Sequence, residues 1–231
     1  MAAIYKKITE KIYLGPGDPN LLRYIRPKHR KILDVGCGNG SNSALIMKHF
    51  PKIVADGITI SSSESRVCKK IFRRCYLFDI TSEKANQRLE DQYDLIIFSH
   101  VLEHTVHPID VLSGFDQVLK TGGEILVIVP NLMHLVNRFK MAQGKFRYTK
   151  EGILDFTHLR FFTYQNVVDL LIDQDKYQLK SIDAIGHFTL GIFRRIISKK
   201  AAAWFDRLAV KAFPSFFGES FVLLLQKKES K

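Results

Sequence analysis

The chain has 231 residues, of which 46% are hydrophobic and 25% charged. These fractions are typical of a folded domain with a substantial core and exclude a globally disordered protein. The net charge of +12 leaves two interpretations open, an anionic partner such as nucleic acid, phospholipid or sugar phosphate, or a lysine-rich solvated surface. The longest apolar runs, near Ile125 and from Phe221, have the length of strands and are too short to span a membrane.

The cysteines and the first residues of the chain predict a cytoplasmic protein. Cys37, Cys68 and Cys75 form no CxxC pair, so we expect reduced thiols rather than a disulfide framework or a zinc site. The first fourteen residues carry charges and lack the apolar core of a secretory signal peptide.

Short β-rich runs alternate with helical patterns through the first 130 residues. Strands are expected at Lys31–Val35, Lys52–Ile60, Arg74–Phe78, Tyr93–Ser99 and Glu124–Pro130, and helices at Ser41–Phe50, Ser61–Phe72, Ser82–Glu90 and Pro108–Lys120. This alternation predicts βαβ units around a mostly parallel sheet. Right-handed crossovers would place helices on both faces, which is the doubly wound α/β architecture.

The second half of the chain is less regular. Helices are expected at Leu132–Gln143 and Tyr164–Gln174, with a loop between them, and strands at Tyr177–Ile185 and Ser220–Lys228. A basic and apolar stretch occupies 186–213 between these two strands. We expect a single domain over 1–231.

A glycine-rich loop, LDVGCGNG, joins the first strand to the first helix. It lies at the carboxyl edge of the predicted sheet, where open α/β folds bind ligands. Gly36, Gly38 and Gly40 let the backbone turn tightly and approach a ligand closely. A dinucleotide-binding fingerprint would need a third glycine where this chain has Ser41.

The order of motifs from Asp18 to Pro130 resembles that of class I S-adenosylmethionine-dependent methyltransferases. The segment GKFRYTKEGILDFTHLRFFT, residues 144–163, resembles one found in bacterial methyltransferases of small-molecule and surface-glycan pathways. The resemblance implies a seven-stranded, mostly parallel sheet with an antiparallel last strand, and S-adenosylmethionine as cofactor. It also implies that Asp34 holds the ammonium group of the cofactor. The backbone of Gly36, Cys37 and Gly38 would line the carboxypropyl arm.

The remaining cofactor positions include one departure from the family. Thr59 stands where an acidic residue usually binds the ribose, and a hydroxyl binds a diol more weakly than a carboxylate does. Asp79 and Ile80 match the positions beside the adenine, and Ser99 at the end of the fourth strand completes the set. Thr59 keeps an alternative open, a methyltransferase-like binding or scaffold protein without catalytic activity.

Histidines cluster where a catalytic base is needed. The sulfonium is already a strong electrophile, so the protein must mainly align the acceptor and exclude water. A hydroxyl acceptor also needs a base with a pKa near the working pH, which is often histidine. We expect His104 and His158 to be catalytic, and His100 and Arg160 to bind the substrate. The expected reaction is O-methylation of a small molecule or glycan precursor; the competing interpretation is that these histidines only cap turns.

Two metal-binding interpretations follow from HVLEH, His100 to His104. The string matches the H-x-x-E-H motif of inverted zinc proteases, but the surrounding order of motifs contradicts that fold. Some ubiquinone-pathway and small-RNA methyltransferases carry E-x-x-E-H here with a later histidine and use a divalent ion. In this chain His100 replaces the first carboxylate, which shifts preference away from magnesium. We expect no metal.

The predicted division of the domain is core motifs at 18–130, acceptor-side loops at 131–163 and a basic amphipathic insertion at 186–213. The insertion carries Arg194, Arg195, Lys199, Lys200, Arg207 and Lys211 against Asp206, and apolar residues at Phe193, Ile197, Ala201, Trp204, Leu208 and Ala212. We expect the apolar side to pack on the domain or on a homodimer partner. A peripheral membrane contact and a lid over the acceptor remain alternatives. A nucleic acid partner is not expected, because the aromatic, proline-rich motif of base-amino methyltransferases is missing from the fourth strand.

Overall fold

One mixed sheet of seven strands organises the protein. The computed structural model describes residues 15–82, 88–186 and 198–229. The strands are β1 Lys31–Val35, β2 Val54–Thr59, β3 Arg74–Leu77, β4 Tyr93–Ser99, β5 Leu119–Pro130, β6 Tyr177–Ile185 and β7 Ser220–Lys227. Their order is β3-β2-β1-β4-β5-β7-β6, and β7 is antiparallel to both of its neighbours. The predicted α/β fold with an antiparallel last strand is confirmed.

Helices follow the strands on both sides of the sheet. They are α1 Ser41–His49, α2 Ser62–Cys68, α3 Pro108–Gly114, α4 Leu135–Ala142, α5 Val167–Leu171, α6 Lys199–Ala212 and α7 Pro214–Phe217. Single turns of 3-10 helix lie at Leu102–His104 and Asp116–Val118, and a longer one at Pro19–Tyr24. The sequence analysis did not predict this last element, which begins where Asp18 accepts a hydrogen bond from the amide of Asn20 at 2.9 Å.

The core lies on both faces of the sheet. Along β5, Leu126 packs in one layer and Val127 in the other, and along β1 Ile32 and Leu33 divide in the same way. Strands that are buried on both faces need nearly continuous apolar sequence, which these have. Because β1 pairs in parallel with both β2 and β4, the carboxyl ends of these three strands meet at one edge of the sheet. Loops follow the strands at this edge.

Several predicted helices are shorter in the structure, and polar side chains or early strand pairing stop three of them. The helix from Pro108 ends at Gly114, and β5 already begins at Leu119, which pairs with Tyr93. Asn131 accepts the amide of Met133 at 3.0 Å and delays the start of α4. Thr163 and Asn166 form reciprocal side-chain-to-backbone hydrogen bonds before α5 (Thr163 N to Asn166 Oδ1, 2.7 Å; Asn166 N to Thr163 Oγ1, 3.3 Å), a turn that competes with helix.

Two expectations fall partly outside the described residues. The predicted helix Ser82–Glu90 includes residues 83–87, and the basic insertion includes 187–197, neither of which the structure describes. Within the described ranges, no helix has the length and apolar character needed to cross a lipid bilayer.

Candidate functional site

The glycine loop adopts a backbone that only glycine takes without strain. Gly36, Gly38 and Gly40 have φ angles of 67°, 55° and 79°, all in the left-handed region. A Cβ atom on Gly36 would lie 2.4 Å from Cγ2 of Val101, in the loop after β4. The loop after β1 and the loop after β4 are therefore in direct contact at the carboxyl edge.

Two cysteines, Cys37 and Cys68, stabilise the glycine loop through hydrogen bonds. The amide of Cys37 donates to the carbonyl of Ile58 at 2.9 Å, and the thiol of Cys68 donates to the carbonyl of Gly38 at 3.0 Å. The Sγ atoms of Cys37 and Cys68 are 3.7 Å apart, and all three cysteines are free thiols. The sequence analysis gave Cys68 no role, because it lies thirty residues from the loop.

Asp34 is buried beneath the loop with 1% of its surface exposed. The hydroxyl of Ser43, in the first turn of α1, donates to its Oδ2 at 2.7 Å. Burial raises the pKa of Asp34 to about 6, and the hydrogen bond from Ser43 opposes that shift. The site thus holds a carboxylate that gains from any cation placed nearby.

Asn42 connects the start of the described chain to the end of β4. Its Oδ1 accepts the amide of Asp18 at 2.9 Å, and its Nδ2 donates to Oγ of Ser99 at 3.4 Å. Ser99 therefore lies at the edge of the glycine loop, where the sequence predicted it.

A second carboxylate accompanies Thr59 at the end of β2. The Thr59 hydroxyl accepts the amide of Ser61 at 3.0 Å and donates to Oε2 of Glu64 at 2.7 Å. Both side chains are buried. The sequence analysis missed Glu64, although the S-x-x-E pattern from Ser61 is a recognisable capping box. Its glutamate turns towards Thr59, so the departure from the family at Thr59 does not leave the position without a carboxylate.

Asp79 and Ile80 are half-buried in the turn after β3. Oδ1 of Asp79 accepts hydrogen bonds from the amide and the hydroxyl of Thr81, at 2.8 and 2.7 Å. The turn fixes the direction of the Asp79 side chain at the carboxyl edge.

His104 and His158 lie against each other, with ring centroids 4.8 Å apart. Nδ1 of His104 lies 3.2 Å from the carbonyl of Thr157, and Nδ1 of His158 lies 2.9 Å from the carbonyl of Ile153. A carbonyl oxygen can only accept, so each Nδ1 carries a proton, and in this tautomer a neutral ring has an Nε2 that can accept one. Burial lowers the pKa of His158, which favours this neutral form.

Glu103 is a fully buried carboxylate beside these rings. Neither of its oxygens accepts a well-formed hydrogen bond from any residue in the described ranges; Nδ1 of His100 lies 3.4 Å from Oε1. Burial alone would raise the pKa of Glu103, but His100 and His104 hold it below its ordinary value. A buried polar group of this kind needs an explanation, such as a functional role or a bound ion.

Glu103, His104 and His158 could together hold a metal ion. Each offers one ligand atom, and the three atoms lie within 4.8 Å of one another. Two imidazole nitrogens and a carboxylate suit zinc and similar metals better than magnesium. The Nδ1–H bonds to backbone carbonyls are the supports that metal-bound histidines usually have. The expectation of no metal stays a prediction.

His100 lies at the open side of the cluster, with 48% of its side chain exposed. Its φ is 56°, a conformation that no other non-glycine residue in the described ranges adopts and that is often found at functional sites. Although burial acts to lower it, the charge and contact of Glu103 raise the pKa of His100. The H-x-x-E-H interpretation is wrong, because only Leu102–His104 is helical here. A polar cavity beside His100 is lined by Asp18, Asn20, Ile185, Gly186, Glu219 and Ser220.

Arg160 joins the acceptor-side loop to the loop after β4. Its Nε and Nη2 donate to the carbonyl of Val106 at 2.8 and 2.5 Å, and its amide donates to the carbonyl of Glu103 at 3.0 Å. The amide of Leu159 donates to the same carbonyl at 2.8 Å. These bonds bring His158 to His104 across 54 residues of sequence.

Helix α6, in the described part of the basic insertion, does not pack its apolar stripe on the domain. In α6, Trp204 and Leu208 are 58% and 52% exposed, whereas the buried positions are Ala202 and Val210. The expectation that Trp204 and Leu208 pack on the domain is therefore wrong, and packing on a homodimer partner stays a prediction. Phe193 and Ile197, which belong to the same predicted stripe, lie outside the described residues.

The sheet order, the reversed β7 and the glycine loop after β1 define the fold of a class I methyltransferase. Residues 15–174 match the family model of a methyltransferase domain, and the chain belongs to this family. S-adenosylmethionine is the methyl donor of the class, so the resemblance seen in the motifs is confirmed.

The proteins and the solved structure that resemble this chain are also methyltransferases. The chain is 27% identical over 153 residues to a ubiquinone biosynthesis O-methyltransferase of Roseobacter denitrificans, covering 62% of this chain and 58% of that protein. It is 23% identical over 137 residues to the tRNA 5-carboxymethoxyuridine methyltransferase of Escherichia coli, covering 58% of this chain and 52% of that protein. The crystal structure of a SAM-dependent methyltransferase from Archaeoglobus fulgidus matches with a TM-score of 0.63, at 19% identity, covering 90% of this chain and 91% of that one. The chain thus spans about half of these two curated relatives and shares its fold with the third protein.

Proposed function

We propose that the chain transfers the methyl group of S-adenosylmethionine to an oxygen atom of a small-molecule acceptor or glycan precursor. The observation that carries this proposal is the pair of histidines, His104 and His158, whose Nδ1 atoms face backbone carbonyls on loops joined to the glycine loop. Val101, which touches Gly36, lies three residues before His104. A base is thereby held beside the place where this family binds its cofactor.

The cofactor is assigned to the carboxyl edge of β1, β2 and β4. Asp34 faces the ammonium group, directly or through water, and its raised pKa means that the cation stabilises the ionised form. The backbone of Gly36, Cys37 and Gly38 lines the carboxypropyl arm, and Ser99 closes its side.

The nucleoside is assigned to the next two strand ends. Glu64 supplies the carboxylate for the ribose diol, with Thr59 positioning it through the 2.7 Å hydrogen bond. Asp79 and Ile80 border the adenine. The scaffold alternative depended on Thr59 standing without a carboxylate, and Glu64 supports cofactor binding instead.

The chemistry at the acceptor is one proton transfer. As the acceptor oxygen attacks the methyl carbon, the bond to the sulfonium sulfur breaks, and the hydroxyl proton passes to a base. His104 and His158 are placed for this role, with His100 and Arg160 at the acceptor side. A divalent cation bound by Glu103, His104 and His158 would instead polarise the acceptor hydroxyl and lower its pKa. The name of the Roseobacter denitrificans relative specifies transfer to oxygen, which supports an oxygen acceptor here.

Two measurements on the same variants test the proposal. Calorimetry measures the affinity for S-adenosylmethionine, and radiolabelled methyl transfer is screened over phenols, sugars, carboxylic acids and transfer RNA. We expect His104→Ala and His158→Ala to lose roughly 10²–10⁴-fold in transfer rate, the range for a general base. Cofactor affinity should stay within about twofold, because neither ring belongs to the cofactor set.

His107→Ala is the matched control, because His107 is exposed and precedes α3. It should leave both measurements unchanged. Full transfer activity in both His104→Ala and His158→Ala would refute the assigned base, and a folded chain that does not bind the cofactor would refute the enzyme.

A further inference from the structure

Helix α6 exposes its large apolar side chains to solvent, whereas a helix of a globular domain normally turns them towards the core. It buries the small side chains of Ala202 and Val210 and exposes the bulky ones of Trp204, Phe205 and Leu208, at 58%, 44% and 52%. A helix normally turns its large apolar residues towards the core. Adjacent exposed apolar residues of this size mark a surface that contacts something else.

The charges of α6 lie beside this apolar strip. At 3.6 residues per turn, Lys200, Arg207 and Lys211 fall on one flank of Trp204. All three are exposed. The helix contains four basic residues and one acidic residue, Asp206, so its charge is 4 − 1 = +3. The exposed face, which we call the basic aromatic face, consists of Lys200, Trp204, Phe205, Arg207, Leu208 and Lys211.

The connection that contains the basic aromatic face begins and ends at the same edge of the sheet as the candidate site. Ser220, at the start of β7, pairs with Pro130 and with Ile185, so the connection that contains α6 and α7 crosses the carboxyl edge. In α7, the ring of Phe216 lies 4.2 Å from the guanidinium carbon of Arg138 in α4. In the same helix α4, Phe139 is 66% exposed.

We propose that the basic aromatic face docks on the surface of a membrane that contains anionic phospholipid. A helix with tryptophan, phenylalanine and leucine on one strip and lysine and arginine beside it matches the headgroup region, where apolar groups enter and cations meet phosphate. A second copy is a poorer occupant, because a twofold axis would place this basic face against itself. The inference is independent of the methyl acceptor.

Trp204 provides the measurement, because it is the only tryptophan in the chain. Its emission is recorded with vesicles of phosphatidylcholine alone and of phosphatidylcholine with phosphatidylglycerol. We expect a shift to shorter wavelength only with the anionic vesicles, and quenching when the acyl chains are brominated. High salt should weaken binding, since it screens exposed charges.

Charge-reversal variants locate the contact. Lys200→Glu, Arg207→Glu and Lys211→Glu together should lower vesicle partitioning about a hundredfold or more, on the contribution expected per basic residue. The matched control reverses Lys48, Lys52 and Lys69, three exposed lysines outside α6 and α7, and should change partitioning by about fivefold or less. Leu208→Ser tests the apolar strip and should cost about tenfold.

Calorimetry with S-adenosylmethionine on both triple variants shows that each is folded, and it separates this proposal from the proposed methyl transfer. The proposal is overturned if anionic vesicles leave the emission unchanged, or if the two triple variants partition equally. It is also overturned if sedimentation velocity shows a dimer and the Trp204 emission shows burial without vesicles. A change of the Trp204 emission with transfer RNA but not with vesicles would overturn it as well.

Discussion

The two ends of the candidate site are built differently. The cofactor end consists of short loops that follow β1 and β2 directly, and most of its contacts join residues close in sequence or on paired strands. The acceptor end joins the loop after β4 to a loop more than fifty residues later, through bonds such as that from His104 to Thr157. The first end depends on local backbone conformation, whereas the second depends on the packing of distant loops. Variants at the two ends should therefore fail in different ways.

The largest effect is expected at the acceptor end. Glu103→Gln keeps the shape of the buried side chain but removes its charge beside His104 and His158. We expect kcat/KM for methyl transfer to fall about a hundredfold, with cofactor affinity nearly unchanged, whether the carboxylate supports a base or binds a metal. Glu151→Gln, the same change on an exposed loop, should have no effect.

Chelation then separates the base from the metal. The purified enzyme is assayed before and after treatment with a chelator, and its metal content is measured by mass spectrometry. Loss of activity that zinc restores would identify Glu103, His104 and His158 as ligands. Unchanged activity would leave the histidines as bases.

A smaller loss, in binding rather than rate, is expected at the cofactor end. Gly36→Ala adds a Cβ to a residue with φ of 67° and forces it against Val101 at 2.4 Å. Backbone strain and overpacking each cost about 1–3 kcal/mol, so calorimetry should show about thirtyfold weaker cofactor binding or more. Gly114→Ala, where a Cβ meets open space, should bind normally. Equal binding by both variants would contradict the close approach of the two loops.

Removing the charge of Asp34 should raise the stability of the unliganded protein and lower its affinity for the cofactor. Its pKa is raised from 3.8 to about 6, so the unliganded protein loses stability as the pH rises through this range. Asp34→Asn should stabilise the unliganded protein at pH 7 by about 1–3 kcal/mol in denaturant unfolding, yet weaken cofactor binding.

Asp91 is the contrasting control at the other edge of the sheet. Hydrogen bonds from Lys31 and Arg73 lower its pKa to about 2, so its contribution to stability is lost only as the pH falls through that value. Asp91→Asn should not stabilise the protein at pH 7. Stabilisation by both variants would show that the burial of Asp34 is not the cause.

The smallest effect is expected at Glu64. Glu64→Gln preserves an acceptor for the Thr59 hydroxyl but removes the charge offered to the ribose. A charged hydrogen bond exceeds a neutral one by about 1 kcal/mol, so cofactor binding should weaken about fivefold by calorimetry. Thr59→Val, which breaks the 2.7 Å bond, should weaken binding to a similar extent. If both variants bind as tightly as the natural chain, the ribose is held elsewhere.

Local sequence patterns were most informative at the cofactor end. The glycine loop and β1 match the prediction because a strand, a left-handed turn and a helix follow one another within nineteen residues, Lys31–His49. Helix lengths were predicted less well: Asn131 and Thr163 form side-chain turns that periodicity does not show. Arg160 was expected at the substrate, and in the structure its guanidinium holds the Val106 carbonyl.

The sequence by itself determined the α/β class and the cofactor loop, because these follow from local periodicity and from glycines at fixed spacing. Only the tertiary structure decided that Glu64 turns to Thr59, that both Nδ1 atoms are protonated, and that Trp204 faces outward. Each of these depends on which distant carbonyl or side chain lies within reach. The register of the sheet and the burial of each side chain fix which groups lie within contact distance. A linear pattern of residue types does not contain this information.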